Sequence, residues 1–355
     1  MRWRRSSLGA HWRNPPPDSI LTRTHRTTGV PGDPMACDIA HTSDLHLTGL
    51  SGLGWRQLAG KRLLGYLSWA FRRRREHRPE VLAALRKDLE AAPPDVLLVT
   101  GDLTHLGLPD EFSEAAAFLR RLGGPERVLV VPGNHEAYAR SSYEEGLGRL
   151  APYLPTEAPR PTEGPPAWGH FPRVDVRGEF AFVGLSTAIP TPPFSAAGRV
   201  GVPQSRRLEA MLSELGKEGL FRILYLHHPA ESGVVRPRKD LEDRALLLDC
   251  LEKTGVELIL HGHAHRSVRS RLRIRGEDVW SLGVGSASAM GLEGEERRAR
   301  YHRLRLERER GGVRLTLTAS KWDPESRSFA AADAEDLGVI RHARAVDQTV
   351  LDSGN

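Results

Sequence analysis

Five short polar clusters carry the side chains of this chain best suited to chemistry: Asp44-Leu45-His46, Gly101-Asp102, Gly133-Asn134-His135-Glu136, His227-His228 and Gly262-His263-Ala264-His265. By type, Asp44, His46, Asp102, Asn134, His135, His227, His263 and His265 are mostly metal ligands. Two carboxylates, an amide oxygen and several neutral imidazoles suit Mn, Fe, Zn or Co better than Mg or Ca, which prefer oxygen shells. Crowding these groups without a cation is costly, and a shared metal pair makes the same crowding favourable. In an extended segment residues i and i+2 project to one side, so Asp44 with His46 and His263 with His265 read as two pincers. Gly101, Gly133 and Gly262 permit sharp turns and close backbone approach beside them. Two metals about 3.5–4 Å apart would lower the pKa of a bridging water, orient it for in-line attack at phosphorus and neutralise charge on the phosphoryl oxygens. The chemistry implied is phosphoester hydrolysis.

Each cluster has a plainer reading on its own. Gly101-Asp102 is a common turn, Asn134 suits a turn with a left-handed backbone, and the run from His261 to His265 could hold a lone structural zinc or lie on the surface. The plain readings would have to coincide five times, each at the end of an apolar run.

Those runs set the architecture. Cys37–Thr42, Asp95–Thr100, Val128–Val131, Phe221–Leu226 and Val256–Leu260 read as strands delivering the five clusters. Helices are expected at Pro79–Ala92, where Leu82, Leu85 and Leu89 share one face, at about Asp110–Leu122, at Pro203–Leu215 and near Leu241–Thr254. Strand and helix alternate, so the fold class is α/β with a parallel sheet, and loops at the carboxyl ends of the strands converge on one crevice. Residues 151–173 read as a long Pro/Gly-rich loop, Phe180–Thr187 as a further strand. Beyond Arg266 the helices stop. Four strands, at about Ser267–Ile274, Asp278–Val284, Tyr301–Arg308 and Val313–Ser320, should form a second sheet. From 323 to 355 periodicity is weak and partial disorder is expected.

Two stretches stand apart. Residues 51–78 break the rhythm with aromatic and leucine residues among Lys61, Arg62 and Arg72–Arg75. This insertion reads either as a solvated surface helix or as an amphipathic element that touches a membrane surface or gathers an anionic substrate. Residues 1–34 carry six arginines against Asp18 and Asp33, without an apolar segment of signal-peptide type, and read as a disordered basic extension. They also fit a mitochondrial transit peptide, and Met35 is an alternative start. This extension holds +4 of the net +6 charge, so the remainder is nearly balanced and extensive nucleic-acid binding is not expected. With 39% apolar residues the chain can build a sizeable core. Cys37 and Cys250 form no disulfide framework, which favours a cytoplasmic setting.

Together the five blocks resemble the calcineurin-like metallophosphoesterase superfamily, whose signature reads Asp-x-His, Gly-Asp, Gly-Asn-His-Asp/Glu, His and Gly-His-x-His, over roughly Asp38 to Met290. The resemblance implies a four-layer α/β/β/α sandwich, with a catalytic domain at 35–322. It implies two metal ions: Asp44, His46 and His265 at one, Asn134, His227 and His263 at the other, and Asp102 bridging them. His135 would face the scissile phosphate, stabilising the transition state or protonating the leaving oxygen. The stretch Gly101–Gly107, with His227-His228-Pro229, is similar to the bacterial branch of class III cyclic-nucleotide phosphodiesterases and glycerophosphodiester hydrolases. His105 stands where relatives often carry Asn or Asp, Glu136 replaces the commoner Asp, and the 51–78 insertion has no counterpart in the signature.

The expected function is hydrolysis of a small phosphodiester, a 3',5'-cyclic nucleotide being the candidate, by a metal-bridging hydroxide. The alternatives are a phosphomonoesterase, a lipid pyrophosphohydrolase or a nuclease and, from another class, a non-catalytic metal-binding scaffold. Peripheral membrane contact through 51–78 and a homodimer are the candidate associations.

Overall fold

The computed structural model describes residues 36–47, 50, 58, 60–138, 145–154 and 171–342. The basic extension and the final residues 343–355 lie outside that set, as do 51–57 and 59 of the insertion and 155–170 of the expected long loop.

Strand β1 (Ala36–Thr42) runs into the first polar cluster. Helix α1 (Lys61–Ser68) then continues through a π-helical turn over Trp69–Arg73 and one more turn over Arg74–Glu76. Helix α2 (Pro79–Ala91), β2 (Val96–Val99), α3 (Pro109–Leu122) and β3 (Val128–Val130) follow. Both helices open on proline, whose missing N–H costs nothing in the first turn, and each is preceded by an extended residue, Arg78 or Leu108. Strands β1, β2 and β3 are parallel neighbours, as strand–helix–strand connections require.

The second half begins with β4 (Arg173–Arg177) and β5 (Phe180–Gly184), an antiparallel hairpin. Helix α4 (Val202–Lys217), β6 (Phe221–Tyr225), α5 (Arg244–Thr254) and β7 (Leu258–His261) come next. Among the described residues six more strands follow: β8 (Val268–Ile274), β9 (Glu277–Gly283), β10 (Arg300–Glu309), β11 (Gly312–Asp323), β12 (Ser328–Ala331) and β13 (Glu335–Ile340).

One sheet has the order β12-β11-β10-β1-β2-β3 with β13 also on β11, and the other has β4-β5-β6-β7-β9-β8. Side-chain alternation makes the layers. Phe180, Phe182, Phe221, Ile223, Tyr225, Leu258 and Leu260 point into the core shared with the first sheet. Their neighbours Ala181, Val183, Leu224 and Ile259 meet Leu208, Leu212, Leu247 and Leu251 of α4 and α5 on the other side. Leu82, Leu85, Phe112 and Leu119 cover the first sheet from α2 and α3. The fold is the expected α/β/β/α sandwich.

The late strands depart from expectation. They do not make a sheet of their own: β8 and β9 extend the second sheet, while β10 and β11 add to β1 of the first. Strand alternation is legible in a sequence, but the edge a strand joins is decided by long-range pairing. Strand β4 starts at Arg173, the last residue of what reads as loop, and continues through a stretch with no expected element, and β12 and β13 lie beyond Asp323, where only weak periodicity is visible.

Candidate metal centre

The polar clusters follow β1, β2, β3, β6 and β7, at the carboxyl ends of parallel strands from both sheets. Pairing continues into the loops: the Asp44 N–H donates to the Gly101 carbonyl at 2.9 Å, and the His46 N–H to the Asp102 carbonyl at 3.0 Å. Two bonds tie the sheets together at the same place. The His263 N–H donates to Asp44 Oδ2 at 3.0 Å, and His227 Nδ1 lies 2.7 Å from the Thr100 carbonyl.

Around this joint the side chains divide into two adjoining groups. Asp44, His46, Asp102 and His265 bring ligand atoms within 4.8 Å of one another, with His265 Nε2 3.1 Å from Asp44 Oδ1. In the other group His227 Nε2 lies 3.1 Å from His263 Nδ1, 3.2 Å from Asn134 Oδ1 and 3.3 Å from Asp102 Oδ2. Asp102 belongs to both.

Backbone carbonyls fix which ring nitrogen faces inward. His46 Nδ1 is 3.0 Å from the Thr104 carbonyl, His227 Nδ1 2.7 Å from that of Thr100, and His263 Nε2 2.8 Å from that of Lys239. A carbonyl only accepts, so those nitrogens carry the proton and the opposite ones turn lone pairs into the site. Asp44 Oδ1 and His46 Nε2 are buried without an aligned hydrogen-bond partner. Carboxylate oxygens, an amide oxygen and imidazole lone pairs converging in a buried place are what a pair of borderline divalent cations would satisfy. His228 is also close but has spent both nitrogens, on Thr187 Oγ1 at 2.7 Å and the Ala196 carbonyl at 3.0 Å.

The electrostatics agree. Burial penalises the Asp102 charge, yet His227 and His135 outweigh it and hold the carboxyl well below its usual range. Burial pulls His227 down, and Asp102 more than reverses this, leaving the ring at about 9 without a cation. Burial keeps His46 and His263 well below 6.5, hence neutral and free to ligate.

The pincers arise differently from the extended geometry expected. Asp44, His46, Asp102, His263 and His265 all have left-handed backbones, with φ between 42° and 66°. The two loops turn back on themselves, and five non-glycine residues in that region carry strain typical of functional sites. Asn134 is not among the positive-φ residues, contrary to its reading as a left-handed turn. The glycines serve close approach as expected: a Cβ on Gly101, itself at φ +92°, would meet the Gly133 nitrogen at 2.5 Å and Cα at 2.7 Å.

His135 lies off both groups. Its N–H donates to Asp102 Oδ1 at 2.8 Å, Nδ1 is 2.5 Å from the His105 carbonyl, and Nε2 stands 4.0 Å from Asp102 Oδ2. The insertion reaches it: Arg73 Nη1 donates to His135 Nε2 at 3.0 Å. Trp69 anchors the π turn against Leu50, Leu106 and Leu108, and Lys61 Nζ donates to the Thr191 carbonyl at 3.0 Å. His77, the last residue of the insertion's helical run to pair back, is buried beside His46 and His265, its Nδ1 2.8 Å from Ser288 Oγ. Sequence patterning marked Arg73 only as part of the basic run Arg72–Arg75 and had no signal for His77, because neither is spaced against the five clusters. Glu136 also differs from a site acid. Its oxygens accept from the N–H groups of Asp102, Gly133 and Thr104, so it braces the ligand loops.

The sequence model of the calcineurin-like phosphoesterases matches residues 38–267. The chain belongs to the calcineurin-like phosphoesterase family. Among its relatives is a Rhodococcus erythropolis protein named probable cyclic nucleotide phosphodiesterase, 28% identical over 184 residues, covering 50% of this chain and 53% of that one. A Synechococcus protein of the same description is 26% identical over 228 residues, or 63% of this chain and 77% of the relative. This family member therefore spans about half the length of the Rhodococcus protein. Among solved structures, a Danio rerio dimetal phosphatase superposes with TM-score 0.53 at 14% identity, over 86% of this chain and 100% of that one. A purple acid phosphatase from yellow lupin seeds gives 0.54 at 15%, over 87% and 55%. At these identities the likeness establishes the fold.

Proposed function

We propose that this family member is a dinuclear-metal phosphoesterase that hydrolyses phosphodiesters. Asp44, His46 and His265 would hold one cation, Asn134, His227 and His263 the other, with Asp102 between them. The carrying observation is that three backbone carbonyls turn the lone pairs of His46, His227 and His263 toward one buried place that Asp102 shares. Bound there, two cations supply an activated water and neutralise charge on the phosphoryl oxygens. Mn, Fe, Zn and Co fit the nitrogen-rich donor set.

The chain's own groups then position and stabilise. Asp102 Oδ1 holds the His135 backbone, so His135 keeps a constant distance from the ligand cluster. With its Nδ1 proton given to the His105 carbonyl, His135 Nε2 accepts from Arg73. This supports charge stabilisation at the scissile phosphate by the Arg73–His135 pair over proton donation by His135. The relatives' names make 3',5'-cyclic nucleotides the first substrates to assay, ahead of monoesters, lipid pyrophosphates and nucleic acid. A full ligand set speaks against a non-catalytic scaffold. Turnover of bis(p-nitrophenyl) phosphate by chelator-stripped, Mn-reloaded protein tests the reading; no turnover with two metals bound would leave the scaffold.

The insertion also supports membrane contact. Leu63, Leu64, Leu67 and Phe71 are 43–78% exposed along the helix, next to Arg72, Arg74 and Arg75. Apolar and cationic groups side by side suit an anionic lipid surface. Co-sedimentation with phosphatidylglycerol but not phosphatidylcholine vesicles, lost in Phe71→Ser with Leu67→Ser, is expected. Both cysteines are free and buried, which supports the cytoplasmic setting.

A further inference from the structure

We propose that His46, His77 and His265 form a second, all-imidazole seat for the first cation, which takes zinc or another nitrogen-preferring divalent ion in place of the carboxylate seat of Asp44 and Asp102. The inference rests on the dinuclear reading above, from which it takes His46 and His265, and adds a ligand from the insertion.

The three rings bring ligand nitrogens within 4.8 Å of one another. Ring centres lie 4.5 Å apart for His46 and His77, 5.3 Å for His46 and His265, and 6.0 Å for His77 and His265. His46 and His77 are buried and His265 is half-buried. Among the described residues His46 Nε2 has no hydrogen-bond partner. Ser288 Oγ, 2.8 Å from His77 Nδ1, fixes that side of the ring and leaves Nε2 as the ligand atom. A histidine that only filled space could keep the serine bond, but it would have no reason to stand against a second imidazole whose own lone pair is unmet.

The backbone on both sides of His77 is held. The His77 N–H donates to the Arg73 carbonyl at 2.8 Å, the Arg78 N–H to the Ser288 carbonyl at 3.0 Å, and the Met290 N–H to the Glu76 carbonyl at 2.8 Å. The Glu76 carboxylate accepts the N–H groups of Gly291 and Leu292, each at 3.0 Å. These bonds pin the end of the insertion to the segment 288–292, so His77 stands at a fixed place, as a ligand must.

The two seats exclude each other. His46 Nδ1 carries the proton that the Thr104 carbonyl accepts, so the ring has one lone pair and serves one seat at a time. Three neutral imidazoles favour zinc, nickel or copper, whereas the two carboxylates of the other seat favour manganese. A cation drawn to His77 is drawn off Asp102, the group shared with the second cation. Zinc at the imidazole seat should therefore lower the turnover of manganese-loaded protein.

The test titrates chelator-stripped, full-length protein calorimetrically with zinc and with manganese. Wild type is compared with His77→Phe, which keeps a ring, and with His77→Gln, and melting temperatures establish that each is folded. In both variants the Kd of one zinc ion should rise by on the order of a hundredfold, far more than either manganese Kd. A merely structural His77 would move both metals alike, so equal weakening, or an unmoved zinc Kd in folded variants, would overturn the seat. Zinc-edge anomalous diffraction from wild type needs no variant: zinc bonded to His77 Nε2 supports the proposal, and zinc on Asp44 and Asp102 alone refutes it. One ion of either metal per wild-type chain, with the zinc dependence on His77 intact, would leave the seat standing and sink the dinuclear reading.

Discussion

Glu136 joins two of the ligand loops: its Oε2 accepts the N–H of Asp102 at 2.8 Å and the N–H of Gly133 at 2.7 Å. Its other oxygen takes the N–H of Thr104 at 2.9 Å and the Thr104 hydroxyl at 3.0 Å. A carboxylate here accepts four times, and Gln cannot, because one end becomes a donor facing donors. Glu136→Gln should cost about 2–4 kcal/mol of unfolding free energy, since buried hydrogen bonds to charge are worth about 1.5–3 kcal/mol each. Urea unfolding measures it, and metal content should fall with it as Asp102 and Asn134 lose their backbone bracing. A stable variant with a full metal complement would contradict the bracing role.

Gly101 tests close approach. Alanine there must hold φ +92° and set a Cβ 2.5 Å from the Gly133 backbone nitrogen. The left-handed backbone alone costs about 1–2 kcal/mol, and the collision forces the Asp102 and Asn134 loops apart. Gly101→Ala should therefore lower the melting temperature and at least halve the bound metal, read by elemental analysis.

Neighbouring residues in one loop should separate in their effects. Asn134→Ala removes an oxygen 3.2 Å from His227 Nε2 and should weaken one of the two metals, seen as a metal stoichiometry dropping from two toward one. His135→Ala leaves every proposed ligand in place and should keep stoichiometry while slowing hydrolysis by about 10²-fold or more. If His135→Ala turns over at the wild-type rate, its substrate-facing role is wrong.

Acid sensitivity should come partly from a buried histidine pair between β1 and β10. His302 on β10 is opposite His41 on β1, with ring centres 6.1 Å apart. Burial, helped by Arg269 and Arg300, takes His302 from 6.5 to about 3, and burial holds His41 well below 6.5. Between those pH values the unfolded chain binds protons that the folded chain excludes. Stability is thus fully present above pH 6.5 and declines as pH falls toward 3. Urea midpoints recorded from pH 7 to 4 should fall, and His302→Gln should flatten the fall; a parallel decline in the variant would remove His302 from the cause.

Sequence alone brought out the candidate donor set and most of the frame. Apolar runs ending in Asp102, Asn134, His227 and His263 are local patterns: strand alternation and a β-branched core say where a chain buries, and a polar residue at a run's end must emerge at the sheet's edge. That is why the parallel order of β1, β2 and β3, the helices α2 to α5 and the nitrogen-rich donor set were legible. Tertiary structure decided what depends on contacts between distant residues. Strands β10 and β11 joined β1, because edge pairing is settled by which faces must be covered. The ligand loops took left-handed backbones, because carboxylates and imidazoles from two sheets had to turn into one buried place. And the helical insertion, whose composition showed only an amphipathic and basic element, placed Arg73 on His135, an arrangement that depends on Trp69 docking against Leu106 and Leu108 rather than on any spacing in the sequence.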